Sequence, residues 1–303
     1  MLTIQILTRN NEDTIRACIE STLRLNAEIV VGDLGSTDNT ISICDEMGAI
    51  THHLGGMERH EARNSLTKDG LNLALEPWEV WSQGLIPNAD CAYATILNNQ
   101  IISKEIRFWQ KPMSFINPTF ERVDAETTNH SNVVLYSIGS RDYDYDKLML
   151  AQWKKNPVLA APYYYQACVE LALRNYPEFF RSAEHYLFRD KSDSMSAIML
   201  RYYMAYAHMF VNKKVRPALQ NLNLCLCAKP MMSEFWCLMA DVYYHLLKDW
   251  RKAIDFYENA MILGSRRKTP DTWPLDLSKY NKYPTKMIES CQKLLDRPSI
   301  YHA

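Results

Sequence analysis

The chain has 303 residues, a net charge of −1 and 47% hydrophobic residues. That length allows two domains, and the apolar content supplies a core and excludes wholesale disorder. A charge this close to zero excludes a global field drawing the protein to nucleic acid or membrane, and no apolar run approaches the ~18–20 residues of a membrane span.

Residues 2–7, LTIQIL, form a short apolar run suited to a buried strand. The stretch NNEDTIRACIESTL follows, with Ile15, Cys18, Ile19, Thr22 and Leu23 at helical spacing and with Glu12 and Asp13 where a helix N-terminus favours negative charge. AEIVVG is the second strand, TISICDEMG a second helix closed by Gly48, and AITHHL a third strand. Alternation at this spacing predicts a mostly parallel, Rossmann-like sheet with right-handed crossovers.

From about residue 146 the pattern is helical only. Ala183, Ala218 and Ala253 recur every 35 residues, each in an Arg-x-Ala context, and Ala205 and Ala240 recur at the same interval. Small residues at a fixed period near 34 mark paired helices of the tetratricopeptide kind. The third copy, FWCLMADVYYHLLKDWRKAIDFYENAMILG, carries Trp236, Ala240, Tyr243, Ala253, Tyr257 and Ala260 and resembles that repeat most fully; PTKMIESCQKLL reads as a capping helix. The expected division is an α/β domain over 1–145 and an all-α, TPR-like repeat domain over 146–303. The tyrosines and methionines of the second half read as helix-packing residues. Eight cysteines at irregular spacings, none in a C-x-x-C pair, fall mostly in these apolar stretches and are expected to be small buried side chains. No signal peptide is read, and the expected setting is reduced and cytoplasmic.

In open parallel sheets ligands sit beyond the carboxyl ends of the strands. Thr8-Arg9-Asn10 ends the first strand and Asp33 the second. Gly35 permits a tight turn, and Ser36, Thr37 and Asp38 can cap the next helix. The plainer reading is that Asp33 and Asp38 only satisfy backbone donors. The other is that Asp33 accepts from a base or a ribose hydroxyl. In ERHEARNSL, Arg59 and Arg63 are four apart and share a helix face, and paired guanidinium forks suit a diphosphate. Glu58 and Glu61 lie among them, as on an ordinary solvated face.

LTRNNEDTIRACIESTL, IVVGDLGSTDNTISICDEMGA and ARNSL, in that order, resemble the N-terminal half of family-2 glycosyltransferases with the GT-A fold, and IRFWQKPMSFINPTFER resembles their acceptor-side segment. The likeness covers roughly residues 1–140. It implies a nucleotide-diphosphate sugar as donor. Thr8 and Asn10 would line the nucleoside pocket, Asp33 would contact the base, Asp38 would shape the loop, Arg63 would approach the diphosphate, and Glu121 would be the general base. The family also has a D-x-D motif, whose acids hold Mg²⁺ or Mn²⁺. With Trp78 taken as the tryptophan leading that strand, the motif falls on Gln83-Gly84-Leu85 and two carboxylates are missing. Three explanations stay open. Asp90, Glu79 or Asp124 supplies a displaced metal site; Arg59, Arg63 and Gln83 act without metal; or the domain only binds.

Asp142, Asp144 and Asp146 alternate with tyrosines and read as a Ca²⁺-chelating face or, more plainly, as a solvated linker. His52, His53 and His60 match no zinc spacing, and His53 reads as packed or hydrogen-bonded. Trp78, Trp81 and Trp109 read as core or pocket walls, with a stacked sugar as the minor alternative. The acceptor is expected to be macromolecular. Helix repeats suit a peptide, and basic clusters at Lys154-Lys155, Lys213-Lys214-Arg216 and Arg266-Arg267-Lys268 suit a nucleic acid if they share a face. A soluble glycan precursor is a third option. A catalytically degenerate module that assembles partners on its repeats is the alternative function.

Overall fold

The computed structural model describes residues 1–98, 101–111, 113, 115–116, 122–123, 130–139, 147, 150–151, 159–267 and 275–296. They form two compact units, the first within Met1–Asn156 and the second within Pro157–Asp271 and Leu275–Ala303.

In the first unit β1 (Leu2–Thr8), β2 (Glu28–Asp33), β3 (Ile50–His53) and β4 (Leu71–Leu75) are parallel, and β5 (Glu79–Gln83), β6 (Cys91–Asn98), β7 (Ile101–Trp109) and β10 (His130–Ser137) extend the sheet in the order β3-β2-β1-β4-β7-β6-β10-β5. A small ribbon pairs β8 (Phe115–Ile116) with β9 (Arg122–Val123). β7 runs antiparallel to β4 and β6, and β5 antiparallel to β10. β1 lies inside the sheet and is buried from Thr3 to Thr8, its polar Thr3, Gln5 and Thr8 included. The helices α1 (Ile15–Thr22), α2 (Thr40–Glu46) and α3 (Arg59–Leu66) are the crossovers.

Local chemistry sets these bounds. α1 buries Ile15, Cys18, Ile19 and Thr22, as the spacing predicts. Leu23 does not join them: it begins a short 3₁₀ turn ended by left-handed Asn26 and is 56% exposed. Gly32 is fixed by packing, because a Cβ there would stand 2.7 Å from Leu7 Cδ2 and 2.9 Å from Leu66 Cδ1. That close approach seats α3 on β1 and β2 through Ala62, Leu66, Leu7 and Val30.

The second unit stacks α4 (Ala161–Ala172) on α5 (Tyr176–Arg189), α6 (Met195–Phe210) on α7 (Val215–Ala228), and α8 (Ser233–Val242, continued by a π-helical turn to Leu247) on α9 (Trp250–Gly264); α10 (Lys282–Leu295) packs on α9. Ala183, Ala205, Ala218, Ala240 and Ala253 have no exposed surface, so the recurring alanines are where helices meet. The first copy departs from the pattern. Glu170 holds the place that Ala205 and Ala240 hold later, and its buried carboxylate accepts from Gln166 and Asn175. The third copy is pinned by Asp241, which accepts from Tyr257 Oη on α9 at 2.5 Å and Tyr283 Oη on α10 at 2.7 Å. Burial pushes the Asp241 carboxyl above its ordinary value. All eight cysteines are free, and six are buried. Among the described residues no helix is long and apolar enough to cross a membrane.

Candidate functional site

Parallel register brings the strand ends together. Thr8 lies beside Asp33, Asp33 beside His53, and Ile6 beside Leu75, so the residues after β1, β2 and β4 share the carboxyl edge of the sheet. The two loops that follow β1 and β2 are stitched to each other. Asn10, held at φ +54°, accepts from Thr37 N at 2.8 Å and donates its own N–H to Ser36 Oγ at 3.1 Å. Asp38 Oδ2 accepts from Glu12 N at 3.2 Å, and Glu12 Oε2 accepts from Asn39 N at 3.0 Å. Partial burial pushes the Asp38 carboxyl up, but donors from Thr40 and Glu12 outweigh it and hold the group below its ordinary value. Thr8 is buried, with its hydroxyl donating to Asn11 Oδ1 at 3.0 Å.

Asp33 has two roles by atom. Its Oδ1 accepts from Gly35 N at 3.2 Å and Ser36 N at 2.8 Å, which makes the turn. Its Oδ2 points to the edge, 3.5 Å from His53 Nδ1. His53 itself is exposed (77% of its side chain) on the edge strand β3, so of the packed or hydrogen-bonded positions expected of it the packed one is corrected.

Behind these loops lies a buried charge cluster. Glu76, just past β4, accepts from Arg59 Nη2 at 2.9 Å on Oε2 and from Arg63 Nη2 at 3.0 Å on Oε1, with Arg107 Nη1 3.7 Å away. Glu79, opening β5, accepts from Arg107 Nη2 at 2.7 Å and from Glu76 N at 3.0 Å. Arg107 also meets Glu105 at 3.0 Å on the exposed rim. Burial pushes Glu79 up to about 7, against the pull of Arg107 and with the Glu76 charge adding to the rise. Cys18 Sγ donates to Glu76 O at 3.4 Å, and its thiol is raised well above the ordinary range by burial and by these two carboxylates.

The structure therefore redistributes the residues expected of a site. Thr8, Asn10, Asp33, Asp38 and Arg59 gather at the carboxyl edge. Arg63 comes to the same edge but has no exposed surface, and it donates to Gln5 O at 2.8 Å as well as to Glu76, so it cannot reach a ligand as expected. Gln83 and Gly84 lie at the opposite edge, because β5 runs against β1 and β4 and they sit at its far end. The strand that follows Ala62-Arg63-Asn64 is β4, and the residues past its end are Glu76-Pro77-Trp78-Glu79; the position given to the D-x-D motif is corrected accordingly. Asp90 precedes β6 and lines a hollow of about 670 Å³ with Met1, Leu2 and Gly70 at the amino edge, across the sheet from Asp33, so it supplies no metal site there. Trp81 and Trp109 are buried core residues in edge-to-face contact with Phe108 and Phe115, and Trp78 is half-buried. Glu121, Asp124, Asp142, Asp144, Asp146, Lys154, Lys155 and Lys268 lie outside the described residues.

Sequence reasoning missed Glu76 and Arg107. The available signal was a charged residue inside an apolar strand, Ile106-Arg107-Phe108-Trp109, and a carboxylate closing LNLAL. Glu58, His60 and Glu61, at the start of α3, bring ligand atoms within 4.8 Å of one another. A cation there would face the positive end of the helix, which opposes binding.

Residues 3–64 match the family model described as Glycosyl transferase family 2. This segment is similar to family-2 glycosyltransferases. The match takes in Thr8, Asn10, Asp33, Asp38, Arg59 and Arg63 and stops before β4 and Glu76. A search of curated proteins found no match. Among solved structures, the TPR2B domain of yeast Sti1 in a pHsp70 complex is 10% identical, covering 45% of this chain and 97% of that one at a TM-score of 0.37. Residues 41 to the end of MamA from Desulfovibrio magneticus RS-1 are 13% identical, covering 50% and 85% at a TM-score of 0.38. The repeat organisation of the second unit rests on its own stacked helix pairs and buried alanines.

Proposed function

We propose that the first unit binds a nucleotide-diphosphate sugar and transfers the sugar to a nucleophile on a macromolecular acceptor. The observation that carries this reading is the register that sets Thr8 beside Asp33 at the carboxyl edge, within the segment similar to family-2 glycosyltransferases. A stitched pair of loops holds Asp33 Oδ2 toward that edge as an acceptor for a base or ribose donor, and Arg59 and Arg107 supply positive charge behind it. Glu121 is proposed as the general base on the resemblance alone. The helix repeats would carry the acceptor, a peptide or a nucleic acid.

Incubation with a panel of sugar nucleotides, reading free nucleotide diphosphate, tests this. Slow release from one nucleotide class is expected. Absence of both release and binding across the panel overturns the reading. Binding without turnover would establish the second reading, a non-catalytic module. That reading is favoured by one observation: the two acids past the end of β4, Glu76 and Glu79, are buried and paired with arginines.

A further inference from the structure

The three helix pairs of the second unit turn over at residues 173–175, 211–214 and 248–249. Ring contacts set these turns side by side. Phe180, near the start of α5, lies 4.5 Å from His208 near the end of α6, and Phe210, which ends α6, lies 6.2 Å from His245 in the π-helical turn that continues α8. Each turn holds one cationic residue in the left-handed region, Arg174 at φ +58°, Lys213 at +53° and Lys248 at +57°. The other non-glycine residues there, among the described ones, are asparagines, which take that conformation at less cost. The helix dipole favours a cation at a helix carboxyl end, and that accounts for the charge. It does not account for the neighbours. Leu173 stands before Arg174, Phe210 and Val211 before Lys213, and Leu247 before Lys248, and all four are exposed.

The charge left open on this edge has one sign, although the chain as a whole carries −1. Arg174, Lys213, Lys214 and Lys248 make no ion pair among the described residues. Glu178 and Asp249, the acids at the starts of α5 and α9, are each paired with a cation three residues on, Arg181 at 3.1 Å and Lys252 at 3.4 Å. Burial holds the His245 imidazole below its ordinary value against the pull of Asp241, and the charges of Lys248 and Lys213 lower it further, so two repeats bring their lysines to one ring.

Open cations set beside exposed apolar side chains match a surface that is anionic outside and apolar just beneath. The apolar tips enter the headgroup boundary while the cations stay with the lipid phosphates. A nucleic acid would also meet the cations, but Leu173, Val211 and Leu247 offer its bases no ring to stack on and no hydrogen bond. We propose that this edge of the helix pairs docks on a membrane surface rich in anionic lipid. The surface lies wholly within the second unit, so the proposal does not rest on the donor reading, and its failure leaves that reading as it stands.

Flotation of the full chain with lipid vesicles tests this. Binding to phosphatidylcholine vesicles containing about one third phosphatidylserine is expected to exceed binding to phosphatidylcholine alone by about tenfold or more, and to fall as salt rises. That comparison uses the wild type and stands even where a variant fails to fold. Lys213→Glu with Lys248→Glu should lower binding to the anionic vesicles by about tenfold or more, and Phe210→Ser with Leu247→Ser by about fivefold, each with an unchanged circular dichroism spectrum. Lys229→Glu, at the opposite end of the helices just past α7, should bind as the wild type does. Equal binding to the two kinds of vesicle, or a loss with Lys229→Glu as large as with the double charge variant, overturns the proposal. Binding of a single-stranded DNA oligomer without binding to either vesicle also overturns it and assigns the edge to nucleic acid.

Discussion

Arg63 Nη2 lies 3.0 Å from Glu76 Oε1, and the arginine side chain has no solvent-exposed surface. One residue sits in the last turn of α3 and the other just past β4, so the pair ties a crossover helix to the strand it leads into. Arg63 Nη1 donates to Gln5 O at 2.8 Å as well, which extends the tie to β1. Breaking such a pair from one side leaves a buried charge without its partner. Arg63→Met should therefore cost about 3–5 kcal/mol in urea unfolding. A cost below about 1 kcal/mol would show that the cluster does not hold this edge together.

Asp33→Ala removes two different things. The loss of the acceptor for Gly35 N and Ser36 N should cost about 1–3 kcal/mol of stability. The loss of Oδ2 at the edge should abolish nucleotide binding in calorimetry while the variant stays folded by circular dichroism. Unchanged affinity in a folded variant would remove Asp33 from the site.

Glu79 gives a signed pH dependence. Its carboxyl sits at about 7 in the folded chain because burial disfavours the charged form, against an ordinary value of 4.5. A carboxyl raised on folding contributes stability that is fully present below the unfolded value and is lost as pH rises through the folded one. Relative to Glu79→Gln, the wild type should lose roughly 3 kcal/mol between pH 4.5 and 7. Parallel denaturant curves for the two proteins across that window check this, and a flat difference would place the charged form of Glu79 on equal terms in both states.

Ala218 and Ala253 have no room for a larger side chain, since both are fully buried where paired helices meet. Ala253→Leu should destabilise by about 1–3 kcal/mol through overpacking, and Ala218→Leu by a similar amount. Glu258→Leu, on an exposed face of the same helix as Ala253, should change stability by less than about 0.5 kcal/mol. Equal thermal shifts for the buried and exposed variants would contradict the repeat packing.

The sequence by itself determined the alternation of strands and helices through β3 and α3, the 35-residue repeat, and the turn built on Asp33 and Gly35. Each is written in short-range periodicity or in a few adjacent residues, and burial of a helix stripe or a strand follows that local pattern. Only the tertiary structure decided which way each strand runs and which distant charges meet. Trp78 read as the lead of a strand because local pattern carries no direction; in the fold β4 has already ended at Leu75, and β5 returns the other way, sending Gln83 and Gly84 to the far edge. Glu76 and Arg107 come together because β7 pairs with β4 antiparallel, with Leu73 beside Phe108, a register that neither stretch specifies alone. Burial then made the choice of partners strict, since a charge removed from water at that edge is stable only where an opposite charge already waits.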